Sequence, residues 1–193
     1  MGLPQKRIAW MSPDDYLLLE QASQTKHEYL DGVIYDWQGA GPRAMAGGTI
    51  AHNKISFNVA VSLRQQLRGG PCSVFIADVR LSLADRSAYF YPDVMVSCSE
   101  ADHARNDGIS EPALIVEVLS SGSTEDFDRG DKFANYRRFD SLQTYVLVSP
   151  ELRQIEVFTR AEGWRASEPL RQGLVQLGAL DLQLDMNDVF EGL

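Results

Sequence analysis

Residues 113–120 read A-L-I-V-E-V-L-S, an apolar strand pattern with one carboxylate, Glu117, at its centre. An ionised carboxylate in an apolar interior costs several kcal/mol unless a partner or a shifted pKa relieves it. A second such residue, Asp93, lies in Y-F-Y-P-D-V-M-V-S-C, where the period of two gives it Tyr91 and Met95 as same-face neighbours. Pro92 donates no ladder hydrogen bond, which predicts an irregular or edge position there. Two carboxylates held close together repel, and a hard divalent cation relieves that repulsion. Mg²⁺ is commonly held by one or two carboxylates, with water and phosphate oxygens completing the octahedron.

Downstream, D-F-D-R-G-D-K-F-A-N-Y-R-R-F has helical spacing. At 100° per residue, Arg129, Lys132, Phe133, Tyr136 and Phe139 fall within an arc of about 120°. The aromatic residues mark the arc as inward, so Arg129 and Lys132 are expected to point inward and Asp131 and Arg138 outward. Two readings stay open. Lys132 and Arg129 serve a site built on Glu117, or one of them pairs with Glu117 as a structural ion pair while the long cationic stems reach to solvent.

The elements that must position these side chains follow from the pattern. Ser12-Pro13-Asp14-Asp15 starts a helix to about Ala22. Asp31-Gly32 turns a hairpin in H-E-Y-L-D-G-V-I-Y-D-W, and residues 39–48, rich in Gly and Ala, read as a loop. Thr49 caps a helix to about Arg68 with His52, Ile55, Val59, Leu63 and Leu67 on one side. Strands are expected over 72–83, 88–98 and 113–119, then a helix from about 124 to 139, then strands at T-Y-V-L-V and Q-I-E-V-F-T. Short strands around G-W-R and on to Leu182, and a last turn capped by Asp185, complete the chain. The order predicts one α/β or α+β domain over residues 1–193 with a mixed sheet.

Composition sets the limits. The chain has 193 residues, 44% hydrophobic and 23% charged, with a net charge of −9. That charge argues against a protein coating itself in phosphate backbone, although a local groove or bound cations reverse it where it matters. No apolar run reaches a membrane span and no signal peptide is evident, so a cytoplasmic protein without membrane contact is expected. Of Cys72 and Cys98, one disulfide is possible, but buried free thiols are the favoured reading. Walker-type, G-x-G-x-x-G, C-x-x-C and H-E-x-x-H motifs are absent.

P-D at 92–93 followed by Glu117 resembles the PD-(D/E)XK nuclease superfamily. More closely, Y-P-D-V-M-V, L-I-V-E-V-L-S, D-R-G-D-K-F-A-N-Y-R-R, Y-V-L-V-S-P and I-E-V-F, with S-P-D-D-Y-L and E-Y-L-D-G before them, resemble the Uma-two family of putative restriction endonucleases. The resemblance spans nearly the whole chain. It implies a restriction-endonuclease-like mixed sheet flanked by helices and a metal-dependent endonuclease acting on DNA. Asp93 matches the first motif acid and Glu117 the second. Leu119 stands where the motif lysine is expected, and Lys132 on the following helix is the matching lysine.

On that likeness, Mg²⁺ or Mn²⁺ is held by Asp93, Glu117 and the backbone of Val118, with Glu28 a candidate for a second ion. Lys132 orients the attacking water, Arg129 clamps phosphate, and His52 is a candidate substrate contact or, more simply, a hydrogen-bonded core histidine. Asp78 is expected to pair with Arg80. A homodimer is the default for enzymes that cut two strands. The alternative is a nuclease-fold binding or scaffold protein without catalysis.

Overall fold

A computed structural model describes residues 6–7, 10–36, 49–119, 128–178 and 180–193. The loop expected at 39–48 and the polar turn and helix start expected at 120–127 lie outside them. Strand β1 (Lys6–Arg7) is followed by helix α1 (Pro13–Ala22), where the Ser12 hydroxyl accepts the Asp15 N–H and Pro13 opens the first turn. Strands β2 (His27–Leu30) and β3 (Val33–Asp36) form the expected hairpin, with Asp31 and Gly32 both at positive φ in its two-residue turn. Helix α2 (Ile50–Gln66) is capped by the Thr49 side chain and buries His52, Ile55, Val59, Ala60 and Leu63.

The two long strand expectations are each divided. Residues 72–83 give β4 (Ser73–Ile76) and β5 (Leu81–Ser82), and 88–98 give β6 (Ala88–Phe90) and β7 (Val94–Ser97). The halves belong to different sheets, one ordered β1-β3-β2-β6-β5 and the other β10-β9-β8-β7-β4, where β8 is Pro112–Val118, β9 Thr144–Ser149 and β10 Gln154–Thr159. A tight turn divides the first pair, with Ala77 at positive φ and the Asp78 N–H donating to Ile76 O. Pro92 divides the second. It marks an irregular position as expected, but not an edge, because β7 lies between β4 and β8.

After the short helix α3 (Glu100–His103) comes β8 (Pro112–Val118), antiparallel to β7 and parallel to β9 (Thr144–Ser149), which β10 (Gln154–Thr159) completes. Between β8 and β9, a π-helical turn (Asp128–Lys132) runs into helix α4 (Phe133–Tyr136). A two-stranded sheet of β11 (Leu174–Gln176) and β12 (Gln183–Asp185) precedes α5 (Met186–Val189), capped by Asp185. Trp164 lies in a turn rather than a strand.

The β8 sheet has two covered faces. Leu114, Val116 and Val118 join Val94, Val96, Val146 and Val148 against α2, β12 and α5. Ile115 and Leu119 join Met95, Tyr145 and Leu147 against Phe90, Tyr136 and Phe139. A sheet buried on both faces explains the near-continuous apolar strands. Glu117 is in phase with Ile115 and Leu119, on the face away from α2.

The cysteines correct the free-thiol expectation: Cys72 and Cys98 form a disulfide. The β4–β7 register pairs Ser73 with Ser97, so the cysteines one step further out face each other across two antiparallel strands. In the chain-entropy account, closing a loop of 26 residues stabilises the fold by about 3 kcal/mol. Urea unfolding of Cys72→Ala/Cys98→Ala is expected to show a loss of that order, mirrored by reduction of the unaltered protein. Equal midpoints would remove the bond from the stability account.

Candidate active site

Strands β7 and β8 pair as far as Val94 and Val116 and then part. The next antiparallel partner of Val118 would be Pro92, whose nitrogen carries no hydrogen. The Val118 N–H turns to Asp93 instead, whose Oδ2 accepts it at 2.8 Å. The same oxygen lies 3.1 Å from His52 Nε2, which α2 delivers from its first turn. The Asp93 N–H in turn faces Glu117 Oε2 at 3.4 Å. The fork in the sheet therefore brings the Glu117 carboxylate against the Asp93 backbone, while the Asp93 carboxylate reaches Val118 and His52.

Lys132 closes the cluster. Its ammonium lies 2.9 Å from Glu28 Oε1, 3.2 Å from Asp128 Oδ1 and 3.3 Å from Glu117 Oε1. Glu28 arrives from β2, in the other large sheet, and also faces the Tyr91 N–H at 3.5 Å. Glu28, Asp93, Glu117, Asp128, Lys132 and His52 are all buried. Tyr136 donates to Glu117 Oε1 at 2.6 Å, and the Tyr145 hydroxyl donates to Asp128 O at 3.0 Å.

Electrostatics follow from burial. Desolvation pushes the Glu117 carboxyl well above its ordinary range, against the pull of Lys132, and the nearby charges of Asp93 and Asp128 push the same way. Glu28 and Asp128 are raised by burial too, again with Lys132 opposing. Burial disfavours the Lys132 ammonium, but the charges of Glu117, Glu28 and Asp128 outweigh it and hold the amine well above its usual value. His52 is raised in the same manner: burial opposes the imidazolium, while Asp93, then Asp128 and the Val118 backbone, prevail.

Four buried carboxylates thus face one lysine and one histidine. Glu117 Oε1 is taken by Tyr136 and Lys132, and Asp93 Oδ2 by Val118 and His52. Glu117 Oε2, with a single long contact, and Asp93 Oδ1, without a hydrogen bond among the described residues, are the oxygens left over. Among the described residues no three His, Cys, Asp or Glu side chains are arranged to hold an ion unaided. The donor set fits a hard cation that keeps most of its water and takes one or two carboxylates, as Mg²⁺ does.

Two expected positions differ. Arg129 makes a two-pronged ion pair with Glu156 on β10, at 2.6 and 3.1 Å. The wheel assumed a regular α-helix, whereas residues 128–132 form a wider π turn, which changes the angle between Arg129 and Lys132. Asp78 pairs with Lys26 rather than Arg80, whose guanidinium donates to Asp107 O. Asp131 and Arg138 are exposed, as expected. Sequence reasoning passed over Asp128 and the hydroxyl of Tyr136. The signals were present: Asp128 is four residues before Lys132, and Tyr136 four after it.

The Uma2 model, described as "putative restriction endonuclease", matches residues 13–187. The chain belongs to the Uma2 family. An uncharacterized protein of Synechocystis sp. is 33% identical over 192 residues, covering 98% of this chain and 96% of its own. A second uncharacterized protein from the same organism is 32% identical over 148 residues, covering 76% of this chain and 78% of its own. A crystal structure from Anabaena variabilis, titled as a putative nuclease belonging to DUF820, superposes with a TM-score of 0.68 at 17% identity, covering 93% of this chain and 97% of that one. That likeness shows a shared fold, consistent with the mixed sheet flanked by helices. Among the described residues no helix is long and apolar enough to cross a membrane. Uma2 membership supports a nuclease-like function.

The buried acids give a signed pH dependence. The folded-state pKa values of Glu28, Glu117 and Asp128 are raised, so above the unfolded value of 4.5 for Glu117 the folded chain binds more protons than the unfolded one. Stability is fully present below that value and is lost as pH rises through the folded-state pKa. Urea unfolding of metal-free protein is expected to give a larger free energy at about pH 5 than at about pH 8, and Glu117→Gln is expected to reduce the difference. A pH-independent free energy, or one that rises with pH, would contradict the charge account.

Proposed function

We propose that this protein is a metal-dependent DNA endonuclease that hydrolyses phosphodiester bonds. One observation carries the reading: Asp93 and Glu117 are both buried where β7 and β8 part, with Glu117 Oε2 facing the Asp93 N–H and Glu117 Oε1 beside the buried ammonium of Lys132. Asp93 and Glu117 would hold Mg²⁺ or Mn²⁺, with the Val118 backbone and Glu28 at the margin of the set. When bound, the cation lowers the pKa of a water and offsets charge gathering on the phosphate.

The remaining roles belong to the chain. Lys132, pinned by three carboxylates, presents a fixed cation that orients the attacking water and holds its hydroxide. Glu28 and Asp128 keep that ammonium in place and charged. His52 ties Asp93 to α2 and fixes which carboxylate oxygen turns outward, as a carboxylate's hydrogen-bonded neighbours do at metal sites. Arg129, committed to Glu156, is not assigned to the phosphate. A homodimer in the cytoplasm acting on both strands of DNA completes the proposal. The Cys72–Cys98 bond is the feature to reconcile with a reducing compartment.

A second reading has its own support. Lys132 already satisfies three carboxylates, and such a network serves a non-catalytic scaffold equally well. Calorimetry separates the two. The nuclease reading expects saturable Mn²⁺ binding that weakens at least tenfold in Glu117→Gln, and Mg²⁺- or Mn²⁺-dependent nicking of plasmid DNA. Asp93→Ala, Glu117→Ala and Lys132→Ala are each expected to lower nicking by about a hundredfold or more. Undiminished cleavage in Asp93→Ala and Glu117→Ala, or no saturable Mn²⁺ binding in the unaltered protein, would sink it.

A further inference from the structure

Glu117 stands on a flexible side chain, and something must keep its second oxygen turned toward Asp93. Lys132 is a poor anchor for this task. Its ammonium is shared among three carboxylates, and Glu117 is the most distant, at 3.3 Å against 2.9 and 3.2 Å. The shortest contact to the Glu117 carboxylate comes from elsewhere, the Tyr136 hydroxyl at 2.6 Å. Tyr136 is fully buried. Its ring meets Phe90 edge-on at 5.2 Å and Tyr145 edge-on at 5.5 Å, so the phenol has one orientation available.

We propose that Tyr136 is a positioning residue for Glu117. Its O–H locks Oε1, which leaves Oε2 as the oxygen that faces Asp93 and meets the cation. A phenylalanine would fill the same space and keep both ring contacts, so the packing alone does not require the hydroxyl. A short bond to a charged acceptor in a dry environment gives both direction and strength. The assignment of a cation to Oε2 rests on the nuclease reading above; the fixing of the carboxylate does not.

The test uses Tyr136→Phe, with Tyr29→Phe as a control that also loses a hydroxyl, bonded there to Met11 O. Three measurements are taken on the full chain. In a metal-free crystal structure of Tyr136→Phe, the Glu117 carboxylate is expected to leave its position or divide between two rotamers. Mn²⁺ affinity, read by electron paramagnetic resonance, is expected to weaken about 10- to 100-fold. The turnover number on DNA is expected to fall by a similar factor with KM unchanged within about twofold. Tyr29→Phe is expected to change thermal stability alone.

An unmoved Glu117 in Tyr136→Phe overturns the proposal, as does Mn²⁺ affinity equal to that of the unaltered protein. If the unaltered protein takes up no Mn²⁺, the nuclease reading fails by itself, and the crystal structure still decides whether Tyr136 positions Glu117. Should Tyr136→Phe not fold, 3-fluorotyrosine at position 136 retains the packing and alters the O–H. A changed Mn²⁺ affinity then supports the proposal and an unchanged one overturns it.

Discussion

The structure around the site depends on a balance of buried charge. One ammonium, that of Lys132, stands among the carboxylates of Glu28, Glu117 and Asp128. A buried ion pair recovers its desolvation cost only with close geometry and further hydrogen bonds. Here the geometry is close, but among the described residues the count is unequal: with Asp93 there are four buried carboxylates, and Lys132 and His52 are the buried cationic groups beside them. A fold that keeps such an excess away from water is less stable than one that pairs it fully. The excess is what a divalent cation would cancel, so the same feature that strains the metal-free protein suits it to bind one.

The scaffold explains how distant residues share one point. Asp93 and Glu117 are 24 residues apart and meet because β7 and β8 are neighbours that part at Pro92. Glu28 comes from the other large sheet, and His52 from the helix on the opposite face of the β8 sheet. Lys132 comes from a π turn, a distortion common at functional sites. A lysine two residues after Glu117 would share its face of β8. Leu119 occupies that position and packs in the core instead, and the charge comes from the following helical segment.

Much of this was legible in the sequence because it rests on local periodicity. Apolar strand patterns singled out Asp93 and Glu117, and the helical wheel turned Lys132 and Tyr136 inward. What was missed depends on pairing or on departures from regular geometry. The Cys72–Cys98 bond needs the β4–β7 register, which no single segment encodes. The division of residues 72–83 and 88–98 between two sheets depends on one tight turn and one proline within otherwise strand-like runs. The pairing of Arg129 with Glu156 was not legible, because Glu156 stands on β10, far along the chain, and a wheel drawn for an α-helix does not describe a π turn. Asp128 lay within the inspected stretch, but its value appears only once Lys132 is known to need a third carboxylate.

The most direct test of the central claim is anomalous diffraction from crystals soaked in Mn²⁺. The account predicts a single strong peak within bonding distance of an oxygen of both Asp93 and Glu117, with the Lys132 ammonium still beside Glu117. Saturating Mn²⁺ that leaves the space between those two carboxylates without a peak would contradict it.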